Sequence, residues 1–121
     1  AVDWENLTEE LDSLRKLDKR ELRNRLIVLL EHLLKLAYWD SERENNQRGC
    51  RTTIREQRRQ IKVLLDDSPS LKPFLENIFA ECYAHAREEV IEKSDLSSSV
   101  FPMESPFSAE DALNSDYFGE N

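Results

Sequence analysis

With 121 residues, only two glycines, four prolines and abundant Leu, Glu and Arg, the composition describes one helical core of moderate size. The net charge of −8 is unevenly spread: residues 1–65 carry 14 Lys/Arg against 12 Asp/Glu, and residues 66–121 carry 3 against 13. Such an acidic second half repels nucleic acid and anionic membrane at long range, which confines any anion-binding role to the first half. No run is apolar enough to span a bilayer and no secretory signal pattern opens the chain, so a cytoplasmic location without membrane contact is expected.

Asp3 can cap a first helix in which Trp4, Leu7, Leu11, Leu14 and Leu17 recur at three- and four-residue spacing, a narrow seam suited to one neighbour. Asp18 with Glu21 has capping-box form and predicts a second helix. No glycine or proline breaks that junction, and one continuous helix is the alternative.

The stretch Glu21–Asp40, ELRNRLIVLLEHLLKLAYWD, is the most apolar. At 100° per residue, Leu22, Leu26, Leu29, Leu30, Leu33, Leu36 and Ala37 share one side. Ile27, Leu34 and Tyr38 widen it past half the circumference, so this helix needs several neighbours.

Ser41–Gly49 is polar and reads as a loop, followed by a third helix over Cys50–Asp66 with a thin apolar side of Ile54, Ile61, Leu64 and Leu65. Ser68-Pro69 is a helix start, and the fourth helix carries Leu71, Phe74, Leu75, Ile78, Phe79, Cys82, Tyr83, Ala86 and Val90 to an end near Lys93. From Ser94 the chain turns Ser- and Pro-rich but keeps Val100, Phe101, Met103 and Phe107, which predicts an extended strap rather than a free tail. Ser108 with Asp111 caps a short turn through Leu113. The expected fold is all-α: a mostly antiparallel bundle of about four helices over 1–93, with the strap and terminal turn of 94–121 packed on it.

The segments LTEELDSL (Leu7–Leu14), HLLK (His32–Lys35), TIREQRRQI (Thr53–Ile61), DSPSL (Asp67–Leu71), AHAREE (Ala84–Glu89) and FPMESPF (Phe101–Phe107) together resemble the bacterial, largely cyanobacterial domain-of-unknown-function family 29. The resemblance implies a small all-helical cytosolic protein, whose members usually carry a further N-terminal segment with aromatic residues. Family members often have tryptophan where Cys50 stands and cysteine where Ser105 stands. The family carries no assigned activity, so the resemblance supplies no catalytic residues.

The clearest polar pattern lies on the third helix, where Arg48, Arg51, Arg55, Arg58 and Lys62 recur at three- and four-residue spacing with Arg59 beside them. Arginine forks on such a face can grip phosphates, which makes nucleic acid or another polyanion one possible partner. No aromatic residue is interleaved for base stacking. The favoured reading is internal: the stripe faces away from Ile54 and Ile61 and meets Glu9 and Glu10 of the first helix in a Glu–Arg network.

His32 and His85 each flank an apolar face, where a structural hydrogen bond is the ordinary role. Arg25 with His32 resembles the arginine–histidine motif of HEPN-type ribonucleases, the weak catalytic candidate. No cofactor is expected. A metal site from His32, His85 and Glu81 lacks any recognised ligand spacing, so none is expected. Cys50 and Cys82 read as reduced thiols. The leading functional expectation is a non-enzymatic interaction module, a homo-oligomer or partner-binding protein, with Trp4, Tyr38 and Trp39 as interface residues.

Overall fold

The computed structural model describes residues 4–118, with side chains from Lys16 onward except that of Arg43. Three long helices dominate: α1 (Trp4–Tyr38), α2 (Asp40–Asp67) and α3 (Leu71–Ser94). A single 3-10 turn at Ser98–Val100 and a short helix α4 (Ala109–Leu113) complete the described residues, which contain no strand.

The two helices expected over 3–40 are one. α1 runs unbroken for 35 residues, about 52 Å at 1.5 Å per residue. A capping box can begin a helix only where the chain has left helical geometry; at Asp18 nothing forces it to, and Leu17 through Arg20 simply continue the ladder.

The expected loop at Ser41–Gly49 is also helical. α1 ends at Tyr38, the single non-helical residue Trp39 (φ −105°, ψ 85°) reverses the chain, and α2 starts at once. The asparagine and glycine mark a kink inside α2 instead: Asn46 alone leaves helical geometry (φ −141°, ψ 29°). Its carboxamide lies over Gly49, where an added Cβ would meet Oδ1 at 2.2 Å. The flanking Glu, Gln and Arg residues have good helix propensity, so one deviant residue is enough.

α1 is the middle of the bundle. It packs against both α2 and α3, which barely touch each other. Arg25 meets Gln57 while Cys50 feels the charges of Lys35 and Glu31, so α2 runs antiparallel to α1. Lys19 lies over Phe74, and Glu31 pairs with Lys93, so α3 runs parallel to it. The wide apolar side is what allows this: Leu22, Leu26, Leu29, Leu30, Leu33, Leu34 and Leu36 are all fully buried. At ~1.5–3 kcal/mol per buried leucine, these seven contribute roughly 10–20 kcal/mol of gross burial, the largest single block of the core.

Ile54 and Ile61 close the α2 side, and Leu71, Leu75, Cys82, Tyr83, Ala86 and Val90 close the α3 side. α3 begins two residues after Pro69; Ser68–Ser70 form a turn in which Leu71 N–H donates to the Ser68 carbonyl. Its C-cap, Asp95, is left-handed (φ 56°), a conformation that Asp tolerates better than most residues.

The strap docks as expected, through two of its four large apolar residues. Phe101 and Phe107 are buried, whereas Met103 is 82% exposed and Val100 sits at the surface. The backbone between them is held by side chains of α3: Arg87 Nε donates to the Phe101 carbonyl at 3.1 Å, and Tyr83 Oη donates to that of Pro102. Burial pushes the Tyr83 phenol up to about 12, which keeps it a donor. α4 starts where Ser108 Oγ accepts the Asp111 N–H at 3.0 Å. None of the helices is long and apolar enough to cross a membrane among the described residues.

Leu33→Ala should destabilise the fold by roughly 2–5 kcal/mol in urea unfolding, because it opens a cavity at a fully buried position of the core. Met103→Ala should stay within about 0.5 kcal/mol, as expected of an exposed position.

Candidate anion-binding site

The basic stripe of α2 is solvent-facing over most of its length, with one exception. Arg58 is buried, only 7% exposed, because it stands four residues after Ile54 and three before Ile61, in the same row as those core residues. That spacing corrects the expectation that all the cations face away from the apolar side, and it was the available signal in the sequence.

A buried guanidinium needs acceptors, and the C-terminal segment provides them. Arg58 Nε donates to the Ala112 carbonyl at 2.8 Å, and Nη2 to the carbonyls of Tyr117 and, at 3.4 Å, Asp111. Nη1 is buried with no partner among the described residues. Burial pulls the Arg58 pKa down to about 10, which still leaves the group charged at neutral pH. Phe118 then lies against three arginines, with the guanidinium carbons of Arg51, Arg55 and Arg58 at 5.1, 5.3 and 5.4 Å from its ring centre.

The remaining cations behave differently. Arg59 and Glu56 form a surface pair, Nη2 lying 2.8 Å from both carboxylate oxygens. The Arg59 hydrogen bond holds the Glu56 carboxyl below its ordinary range. Arg48 and Lys62 are exposed. Glu9 and Glu10, the expected partners of the stripe, have side chains outside the described residues.

Between α2, the start of α3 and the α4 segment lies a cavity of about 850 Å³. Arg55, Arg58, Arg59, Lys62 and Lys72 line it, with Asp66 as the only carboxylate among its described lining residues. Lys72 was not anticipated, since it lies on α3, in the acidic half of the sequence. Ser115 and Leu113 bring in the chain end. Five cations facing one acid make the cavity a site of positive potential in an otherwise acidic chain.

A family model described as "Domain of unknown function DUF29" matches residues 1–118. The chain belongs to the DUF29 family. No curated protein and no solved structure matches it. The REQRR and SPSL segments of this DUF29 chain contribute Arg55, Arg58, Arg59 and Pro69 to the basic cavity.

Arg25 and His32 are placed apart from this cavity. Arg25 Nε bonds Glu21 at 3.0 Å and Nη1 donates to Gln57 Oε1 at 3.2 Å. His32 Nδ1 lies 2.7 Å from the Val28 carbonyl of its own helix, as donor. The shallow depression that Arg25 lines is not lined by His32. Arg23 pairs with Glu81 and reaches His85 Nε2 at 3.4 Å. No group of three potential metal ligands occurs among the described residues. Cys50 and Cys82 are free and buried, and burial raises both thiols, Cys82 to about 11, so they stay protonated.

A second internal ion site lies at the other end of the bundle. Glu31, 5% exposed, takes Lys93 of α3 at 2.6 Å and Lys35 at 3.6 Å. The neighbouring aromatics are also engaged internally: Tyr38 packs edge-on against Phe101 at 6.2 Å, and Trp39 donates to Ser41 Oγ with Lys35 over its ring. Trp4 lies outside the residues whose side chains are described.

Burial lowers the His32 pKa below its ordinary 6.5. The unfolded chain therefore binds the extra proton first, and stability falls as pH drops below about 6.5 toward the lowered folded value. Thermal melts of wild type and His32→Gln at pH 7.5 and 5.5 should differ in slope, the variant losing less stability over that interval; equal slopes would contradict the assignment.

Proposed function

We propose that this DUF29 protein is a non-enzymatic binding module that takes an anionic group in the cavity between α2, α3 and α4. The reading is supported above all by the five cations, Arg55, Arg58, Arg59, Lys62 and Lys72, that line this cavity against a single described carboxylate, Asp66. A phosphate or carboxylate oxygen entering the cavity gains charge-assisted hydrogen bonds from the cations that it can reach, Arg55, Lys62 and Lys72 among them. Arg59 and Lys62 add charge at the mouth and are exposed, so they can be changed without opening the core.

Calorimetric titration with inorganic pyrophosphate at low salt should show binding that weakens as salt rises. Arg59→Glu with Lys62→Glu should weaken it about tenfold, because two cations of the lining become two carboxylates that repel the anion. Absence of heat and of any thermal shift at low salt would end this reading.

Self-association is the second reading, favoured by one observation on α1. Leu17 is 58% exposed and ends the sequence row of Trp4, Leu7, Leu11 and Leu14, while Phe74, in the first turn of α3, stands at the level of Lys19. The helical backbone continues for about four turns ahead of that level. A second copy laid along this part of α1 would cover Leu17. Sedimentation should then show a species heavier than the monomer that Leu17→Glu dissociates; a strict monomer at high concentration would contradict it.

A further inference from the structure

The anion cavity is not polar throughout. Ile61, Leu65, Pro69 and Leu113 line it together with the cations, and its exposed lining is mostly apolar. A site for a bare phosphate or sulfate needs donors on several sides and gains nothing from an apolar wall. A nucleic acid fares no better: its bases need a stacking surface, and the nearby ring of Phe118 is already covered by Arg51, Arg55 and Arg58. The volume of about 850 Å³ falls within the range of small-molecule sites.

A ligand that satisfies both halves carries one anionic head and an apolar chain. We infer that the cavity takes a free single-chain amphiphilic anion, an alkyl carboxylate or alkyl phosphate, with its head among Arg55, Lys62 and Lys72 and its chain along Leu65, Pro69 and Leu113. The inference rests on the anion-binding reading above and narrows its ligand class. The lining cations draw the head in by charge, and each methylene that follows it into the cavity loses contact with water. Leu113 lies directly after the Ala112 carbonyl that Arg58 holds, so that guanidinium anchors the apolar wall along which the chain lies.

The test is a calorimetric series of alkyl phosphates from ethyl to decyl, each below its micelle-forming concentration, with inorganic phosphate and the matching alkylammonium ions alongside. Affinity should rise about fourfold per added methylene, the equivalent of roughly 0.8 kcal/mol, and then level off when the apolar wall is covered. Leu113→Ala, and separately Leu65→Ala, should flatten that rise with chain length. Arg59→Glu with Lys62→Glu should weaken every chain length by one common factor.

Binding of inorganic phosphate with no dependence on chain length overturns the amphiphile and leaves the anion site standing. No response to any anion overturns both. Alkylammonium ions that bind as tightly as the phosphates show a merely greasy surface and overturn the assigned head site. Flotation on vesicles containing phosphatidylglycerol, without a response to the monomeric series, points to a lipid surface and overturns the cavity as the site of the chain.

Discussion

One buried guanidinium connects the two halves of this chain. Arg58 stands in the apolar row of α2 between Ile54 and Ile61, so folding takes it out of water whatever its partner. Burying that charge is tolerable only because the carbonyls of Asp111, Ala112 and Tyr117 converge on it. The position of the C-terminal segment follows. Ala112 becomes buried, Phe118 comes to lie on the arginines, and Leu113 with Ser115 forms a wall of the basic cavity. Removing the arginine would free the segment, and removing the segment would leave a buried cation short of acceptors.

The bundle into which Arg58 is set depends in turn on α1. Its leucines occupy more than one stripe, and no single neighbour can cover them, so α2 and α3 take opposite flanks and scarcely meet. α4 also touches α1. The cavity therefore opens between α2, the start of α3 and the chain end, elements that each rest on α1 more than on one another. The Glu31–Lys93–Lys35 cluster ties α1 to α3 at the far end, where Lys93 is half exposed and its pairing is worth correspondingly less.

Much of the fold was legible in the sequence, because it depends on periodicity. The apolar positions of Glu21–Asp40 and of Leu71–Val90 turned out buried or partly buried, and the Ser108–Asp111 cap appears where it was read. The boundaries read from capping and turn residues fared worse. Asp18 and Glu21 have capping form without a break in the helix, and the asparagine–glycine run at 45–49 makes a kink rather than a loop. Such residues state a local preference, and long helices with a strong core override it. The site was legible only in part. The arginines are conspicuous, but their roles depend on tertiary partners: Lys72 and Leu113 arrive from other elements, and no local pattern announces them. Arg58 was the exception, since its place between Ile54 and Ile61 could be counted.

The claim that Arg58 fixes the chain end is open to direct measurement by amide hydrogen exchange on Arg58→Lys. Lysine keeps the charge and loses the fork that reaches three carbonyls at once. The amides of Ala112, Asn114 and Tyr117, which donate to Ser108, Asp111 and Asn114, should exchange markedly faster, while the amides of α1 and α3 keep their protection. Unchanged protection across 109–118 in that variant would contradict the claim.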